Sequence, residues 1–443
     1  LKNHEDTGNQ EGGRVSGHEA HRRRTLWMTG VLHGFTHLYG VALLPLYLQI
    51  QADLKLRGVE QATLLVTAMG LAYLLPSYPL GVMADRVSRK KLLAIGLAVN
   101  GLGFAALAAA PGFIWALLSV VVAGIGGSFY HPAATALIAR LFPEARGRAL
   151  GLVGIGASVG FFLGPLYCGW RAMAAGSWRV PVAEVGVAGM VAAGVFAWLA
   201  DDERNLPGAD EARIRARPRL ADFLGRGLLP GAGVWALFII MCLAFSLRDF
   251  AGAAMGTAAS LFLQNAHGFS SKTAGLALSG IFIMSALSNP LFGHLSDRGR
   301  FRWLTFVLLA AAALMSVFPR VTVPWMVPVL LAYGFFFMAS YPMTEAALMD
   351  AVPDHVRGRI FGLALTITGL IGNLSHWAVG GWVQRLGAGA ASAPQYRPLF
   401  GVLSLLVLAS LTALPLLRRL RRDEPPGGQG RSVPCSLQSI DAT

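Results

Sequence analysis

The sequence predicts an all-α integral membrane protein: twelve transmembrane helices in two pseudo-symmetric six-helix bundles. Three observations predict it. Apolar residues make up 54% of the 443 residues and charged residues only 14%, where a soluble domain is roughly a quarter charged. Twelve apolar runs approach or exceed the roughly 20 residues that span hydrocarbon. The third observation is a repeat. Gly81-Val82-Met83-Ala84-Asp85-Arg86-Val87-Ser88-Arg89-Lys90 is echoed about 211 residues later by Gly293-His294-Leu295-Ser296-Asp297-Arg298-Gly299-Arg300, and Pro143-Glu144-Ala145-Arg146-Gly147-Arg148 by Pro353-Asp354-His355-Val356-Arg357-Gly358-Arg359. Pro79-Leu80 likewise returns as Pro290-Leu291. Parallel duplication of a multi-span unit is one way solute transporters are built, with the substrate held between the halves.

The elements follow in order. Residues 1–25 are a polar cytoplasmic segment ending near Arg22-Arg23-Arg24. That segment leads straight into a full-length span, which is not the layout of a cleavable signal peptide. Spans at 26–50, 61–84, 91–110, 113–139, 147–170 and 181–200 complete an N-terminal bundle over 26–200. Residues 201–228 are a charged linker, in which Arg213, Arg215, Arg217 and Arg219 alternate before and after Pro218. That pattern argues for a flexible connection rather than a long amphipathic helix. Spans at 229–264, 272–295, 303–319, 323–350, 358–384 and 397–417 form the C-terminal bundle over 229–417. Residues 418–443 read as a cytoplasmic, disordered tail, rich in Pro, Gly and Ser beyond its basic start.

A net charge of +14 raises the question of nucleic acid. Its placement answers otherwise. With both termini cytoplasmic, 28 of the 37 Lys and Arg fall in inside segments and 8 in outside loops, Arg248 alone lying within a span. This asymmetry orients the chain by the positive-inside rule, and no nucleic-acid partner is needed. The basic ends, Arg22-Arg23-Arg24 and Arg418-Arg419-Leu420-Arg421-Arg422, are suited to anionic lipid head groups. Cys168, Cys242 and Cys435 show neither metal-ligand nor redox spacing, so neither a structural disulfide nor a metal site is expected. No cofactor motif is present, and nothing resembles a nucleophile–base pair or the Gly-x4-Gly-Lys-Ser/Thr phosphate loop of an ATP-driven enzyme.

The repeated motif, Gly81-x-x-Ala84-Asp85-Arg86-x-Ser88-Arg89-Lys90, resembles the loop 2–3 motif of the major facilitator superfamily, with Ser88 where Gly is usual. The copy carrying Gly293, Asp297 and Arg298 takes the equivalent loop 8–9. The resemblance implies a latch that closes the halves in the outward-facing state. Asp85 would face the start of span 11 near Gly358, with Arg89 and Arg140 as partners, and an acid beside a helix N-terminus gains about 0.3–1 kcal/mol. The glycines Gly81 and Gly293 permit close helix approach at the turn. On span 5, Gly151, Gly160, Gly164-Pro165 and Gly169 resemble the antiporter motif of drug:proton exporters, with Cys168 in place of one glycine. Pro165 can kink that helix, and its glycine row gives a flat face against the other half. His131-Pro132 and Ser246-Leu247-Arg248 resemble elements of the fosmidomycin-resistance branch. The chain departs from these patterns at Ala133, where an acid is usual, and at Val120, where proton antiporters carry an arginine.

Ionisable groups at membrane depth cost about 2.5–3.5 kcal/mol on insertion scales, so each is a site candidate. These are His33 and His37 on span 1, His131 on span 4, Arg248 and Asp249 on span 7, Glu345 on span 10 and His376 on span 11. Spans 1, 4, 7 and 10 line the central cavity in the superfamily. His33 and His37, four apart, share a helix face. Arg248 and Asp249 are adjacent and are expected to point different ways, one to the cavity and one to a neighbouring helix. Asp249 or Glu345 is the expected proton carrier, and Arg248 either binds an anionic group or holds the carboxylate charged. His131 and Tyr341 are repeat-related residues, each preceding a proline, which suggests matched kinks. The resulting expectation is a monomeric secondary transporter in a bacterial inner membrane, exporting a small amphipathic or anionic compound against proton entry. A proton-coupled importer, a facilitative uniporter and a non-transporting sensor or scaffold remain the alternatives.

Overall fold

The computed structural model describes residues 5–77, 79–80, 87–202, 228–352 and 357–422. Among them the regular structure is helical, without strands. Twelve spans follow one another: α1 (Glu5–Val41, continued by a 3-10 turn at Leu44–Leu46 and a helix at Tyr47–Asp53), α2 (Val59–Leu74), α3 (Arg89–Ala108), α4 (Phe113–Ser128 and Tyr130–Leu141), α5 (Arg146–Ala175) and α6 (Arg179–Leu199) make the first half. The second half comprises α7 (Gly231–His267), α8 (Ser271–Ile283 and Ser285–Ser296), α9 (Arg300–Val317), α10 (Val323–Met349), α11 (Arg357–Leu386) and α12 (Arg397–Ser410 and Ala413–Arg422). Eleven of these are long and apolar enough to cross a membrane; α2 is a shorter apolar helix of 16 residues. It is interrupted at Leu75–Pro76, where proline has no N–H to continue the ladder.

Twelve crossings bring both chain ends to one end of the bundle, the terminal end; the opposite one is the far end. Lipid-facing tryptophans mark both. Trp27 and Trp198 are exposed at the terminal end, and Trp115, Trp170 and Trp325 at the far end, as interfacial belts require. Within halves, α1 packs on α5, α3 on α6, α7 on α11 and α9 on α10; between halves, α2 meets α11 and α5 meets α8. These contacts depend on glycine. A methyl group at Gly156 or Gly160 of α5 would overlap the carbonyl oxygen of Gly30 or Gly34 on α1. Small residues are what let membrane helices approach so closely, since lipid tails leave little hydrophobic drive between them.

Three expectations about organisation change. Helix α4 breaks at Phe129, whose N–H reaches back only three residues to Gly126 (3.4 Å), just ahead of Pro132. Helix α10 instead runs as one helix through Pro328 and Pro342, so the break in α4 has no counterpart in α10. The expected linker does not begin at 201. Asp201 accepts a hydrogen bond from Thr25 Oγ1 (3.2 Å) and lies 3.5 Å from His21, while Ser88 Oγ donates to Asp202 (2.8 Å), so both acids are docked on the first half. Residues 203–227, the rest of that expected linker, lie outside the described residues. The expected tail also starts later: α12 continues as helix through the basic run to Arg422, with Arg418 stacked 4.4 Å over the Phe301 ring. The remainder, 423–443, lies outside the described residues.

Gly160 and Gly151 test the packing account. A side chain at Gly160 must push α1 off α5, whereas Gly151 has nothing within 4 Å. Gly160→Leu is expected to lower stability by at least about 1–3 kcal/mol, the usual cost of overpacking, and Gly151→Leu to leave it unchanged. Thermal unfolding of the purified proteins in detergent checks this, and equal losses at both positions would refute it.

Candidate functional site

The ionisable candidates gather into two groups, one in each half. In the first, residues four apart on α1 place His33 and His37 on one face, and His131 enters from α4 immediately past the break at Phe129. The His33 Nδ1–H donates to the Val153 carbonyl on α5 (3.0 Å), and His33 Nε2 lies 3.0 Å from His37 Nε2. One ligand-type nitrogen from each of the three histidines lies within 4.8 Å of the others. This overturns the expectation of no metal-ligand cluster: spacing along the chain cannot reveal residues 94 or more positions apart that the α1–α4 contact unites. Aromatic rings enclose the group. His33 stacks on Tyr130 with centroids 4.7 Å apart, and His37 meets Phe161 at 4.3 Å. Tyr130 donates its hydroxyl to Thr29 O (2.9 Å) and so fixes α4 against α1.

In the second half, Arg248 and Asp249 meet each other, contrary to the expectation that they diverge. Neighbouring positions do start about 100° apart, but the long arginine stem curls back. Its Nε and Nη2 then reach Asp249 Oδ1 at 2.9 and 2.8 Å. The remaining donors turn to α10, where Nη1 bonds Thr344 Oγ1 (2.7 Å), and the guanidinium lies 4.4 Å from the Tyr341 ring centroid. The two side chains are only 5% and 13% exposed. Glu345 is next to Thr344 on α10, is exposed, and carries no hydrogen bond or ion pair among the described residues. The Thr344 role was missed at the sequence level, because a hydroxyl in an apolar helix carries no mark of the arginine it serves.

His376 belongs to neither group. Its Nδ1 is 2.7 Å from Thr257 Oγ1, which is 3.0 Å from the Tyr47 hydroxyl, so it is a satisfied packing residue that ties α11 to α7 and α1. That chain is part of a seam between the halves. Thr67 donates to Asn373 O (2.8 Å), the Val59 N–H to Gln384 Oε1 (3.0 Å) and Ser271 to Gly169 O (3.2 Å). All lie toward the far end. At the terminal end, the ion pairs given by the described residues stay within one half, as in Arg24–Asp201 and Arg300–Asp350.

The motif residues divide similarly. On α5, Gly160 and Gly164 face α1 of their own half; only Gly169 and the Pro165 carbonyl face α8, against Ser271 and Gly275, and Gly151 faces open space. The expected flat face against the other half is therefore confined to the far end of α5. Of the latch residues, Gly81, Asp85 and Arg86 lie outside the described residues. Arg89 opens α3 behind Ser88, which caps it by accepting from the Lys91 N–H (3.2 Å), and Arg140 ends α4. Among the described residues nothing lies within 4 Å of where a Cβ on Gly293 would sit, so none of them approaches closely there, and Asp297 and Arg298 follow the end of α8.

Comparison with known proteins adds to this geometry. A family profile described as Major Facilitator Superfamily matches residues 26–376. Multidrug resistance protein 2 of Bacillus subtilis (strain 168) is 25% identical over 369 residues, covering 81% of this chain and 88% of that protein. Multidrug resistance protein MdtG of Serratia proteamaculans (strain 568) is 27% identical over 397 residues, covering 86% and 90%. A solved bacterial homologue of the human lysosomal transporter Spinster, inward-facing and unoccupied, superposes with a TM-score of 0.69 at 18% identity, over 91% of this chain and 97% of that one. At that identity the likeness is one of fold.

The buried pair makes its own prediction. Removing one partner strands the other, so Asp249→Asn is expected to cost about 3–5 kcal/mol. Combining it with Arg248→Met should recover most of the loss. Unfolding midpoints of the single and double variants measure this, and a single variant as stable as the wild type would show the pair is not structural.

Proposed function

This chain belongs to the Major Facilitator Superfamily, and on that premise we propose that it exports a small amphipathic compound in exchange for protons. That it is a membrane transport protein for a small molecule, and not an enzyme, follows from the family. The observation that carries the finer reading is the contrast between its two interior acids. Asp249 is held by Arg248 and has little room for a further partner, whereas Glu345 is exposed beside that pair without a hydrogen bond of its own. A carboxylate left accessible in a mostly apolar surround is a place where a proton and a cationic cargo compete, and competition for one group is the simplest exchange mechanism. The multidrug-resistance names of two relatives support export.

Orientation enters through charge. The Lys and Arg excess lies on the terminal side, which by the positive-inside rule is cytoplasmic. The described cross-half hydrogen bonds lie at the far end, and on this reading cargo enters from the cytoplasm. The halves would rock about the midplane to release it outside.

Arg248 supports a second reading for anionic cargo. An anion that takes the Arg248 donors leaves Asp249 as a bare buried carboxylate unless it accepts a proton. Anion and proton then bind together and move in the same direction, which is symport rather than exchange.

Proteoliposomes with an internal pH dye separate these. For amphipathic cations such as ethidium, an outward gradient should drive protons inward, with the signal abolished in Glu345→Gln. For organic anions, protons should move with the cargo and Asp249→Asn should abolish the coupling. Transport with no proton movement in either case would leave a facilitative uniporter. Sidedness has its own check: Gly112→Cys, in the far-end loop, should react with an impermeant maleimide on intact cells, and Glu144→Cys should not.

A further inference from the structure

We propose that His33, His37 and His131 form a binding site for one divalent transition-metal ion, of the imidazole-preferring class that includes zinc and cobalt. Their ligand nitrogens already lie within 4.8 Å of one another. A tetrahedral ion with nitrogen ligands at about 2.0–2.1 Å needs them about 3.4 Å apart. The His33–His37 pair, at 3.0 Å, is close to that, and the His131 nitrogen, within 4.8 Å of both, closes the remaining distance on ligation.

The proton inventory favours ligation. A carbonyl only accepts, so the His33 proton sits on Nδ1 toward Val153 O, and its Nε2 presents a lone pair to the centre of the group. Metal-ligating histidines are characteristically oriented by such a bond from the other ring nitrogen. Without metal, His37 Nε2–H donates to that lone pair. With metal, His37 moves its proton to Nδ1 and offers Nε2 as the second ligand. Three neutral imidazoles therefore bind the ion by one tautomer change, with no net proton release.

The frame is built to hold these rings. His33 and His37 lie one helical turn apart, the spacing by which one helix face supplies two imidazoles to a metal. Helix α1 is set in register on α5 by the Gly30–Gly156 and Gly34–Gly160 contacts, and α5 supplies the Val153 carbonyl. Tyr130, stacked on His33, spends its hydroxyl on Thr29 O and is not a fourth ligand. The Tyr73 hydroxyl differs: it is buried without a hydrogen-bond partner among the described residues, and its ring is 6.2 Å from that of His131. The all-imidazole donor set excludes magnesium and calcium, which require oxygen ligands, and leaves an open, exchangeable coordination position.

The test uses the full chain in detergent with any affinity tag removed. Zinc or cobalt should bind at one ion per chain. X-ray absorption of the zinc-loaded wild type should show three imidazole nitrogens at about 2.0 Å, and cobalt should give a tetrahedral visible spectrum. His33→Gln, His37→Gln or His131→Gln should each weaken binding at least about tenfold, whereas His21→Gln, near the polar start of α1, should not. Fewer than three imidazoles in the wild-type spectrum would overturn the proposal, as would unchanged binding in a well-folded His131→Gln variant. Should every variant misfold, the wild-type spectrum decides alone.

Discussion

In hydrocarbon a polar group has no water to fall back on, and much of this chain answers that constraint. Backbone amides of the spans bond mainly within their own helices, with Val59 N–H and Trp377 N–H reaching side chains of the other half. Hydroxyls return to the carbonyl of the preceding turn, as Thr29, Thr36, Ser246, Ser279 and Thr344 do. Tyr39 and Tyr130 instead reach across to carbonyls of other helices, turning an obligation into a tether. Arg248 has more donors than any neutral group, and it draws Asp249, Thr344 and the Tyr341 face around itself.

The two halves meet the constraint differently although they repeat each other. The first gathers neutral imidazoles that satisfy one another and α5. The second gathers a compensated pair of charges. His131 and its repeat partner Tyr341 show how: each borders the polar group of its own half, one as a member and the other as a π-face under the guanidinium. Duplication supplied equivalent positions, and divergence put unlike chemistry in them.

Much of this was legible in the sequence, for reasons that differ by feature. The spans were readable because apolar length is a local property, and the duplication because it is written in the loops. The ends of elements were less so. Residues 418–422 are charged and helical at once, and Asp201 is polar but docked on Thr25. The three histidines were identified singly, yet their meeting depends on how α1 rotates against α4. The Arg248–Asp249 contact was excluded by counting helix angles, which locates Cβ atoms but not the end of a long side chain. The α5 glycines were recognised as a packing row; which helix each faces depends on twist around the axis, and of the motif glycines Gly160 and Gly164 face their own half while Gly169 alone faces the other.

Gly169, Gly275 and the Pro165 carbonyl make the far-end contact between α5 and α8 one of main chain on main chain. Interdigitated side chains lock into particular rotamers and must regain and then lose that freedom each time a surface parts and re-forms. Backbone against backbone has no such freedom to exchange. Parting this contact therefore releases little side-chain entropy, and re-forming it costs little. A contact of that kind holds by close approach rather than by locking rotamers.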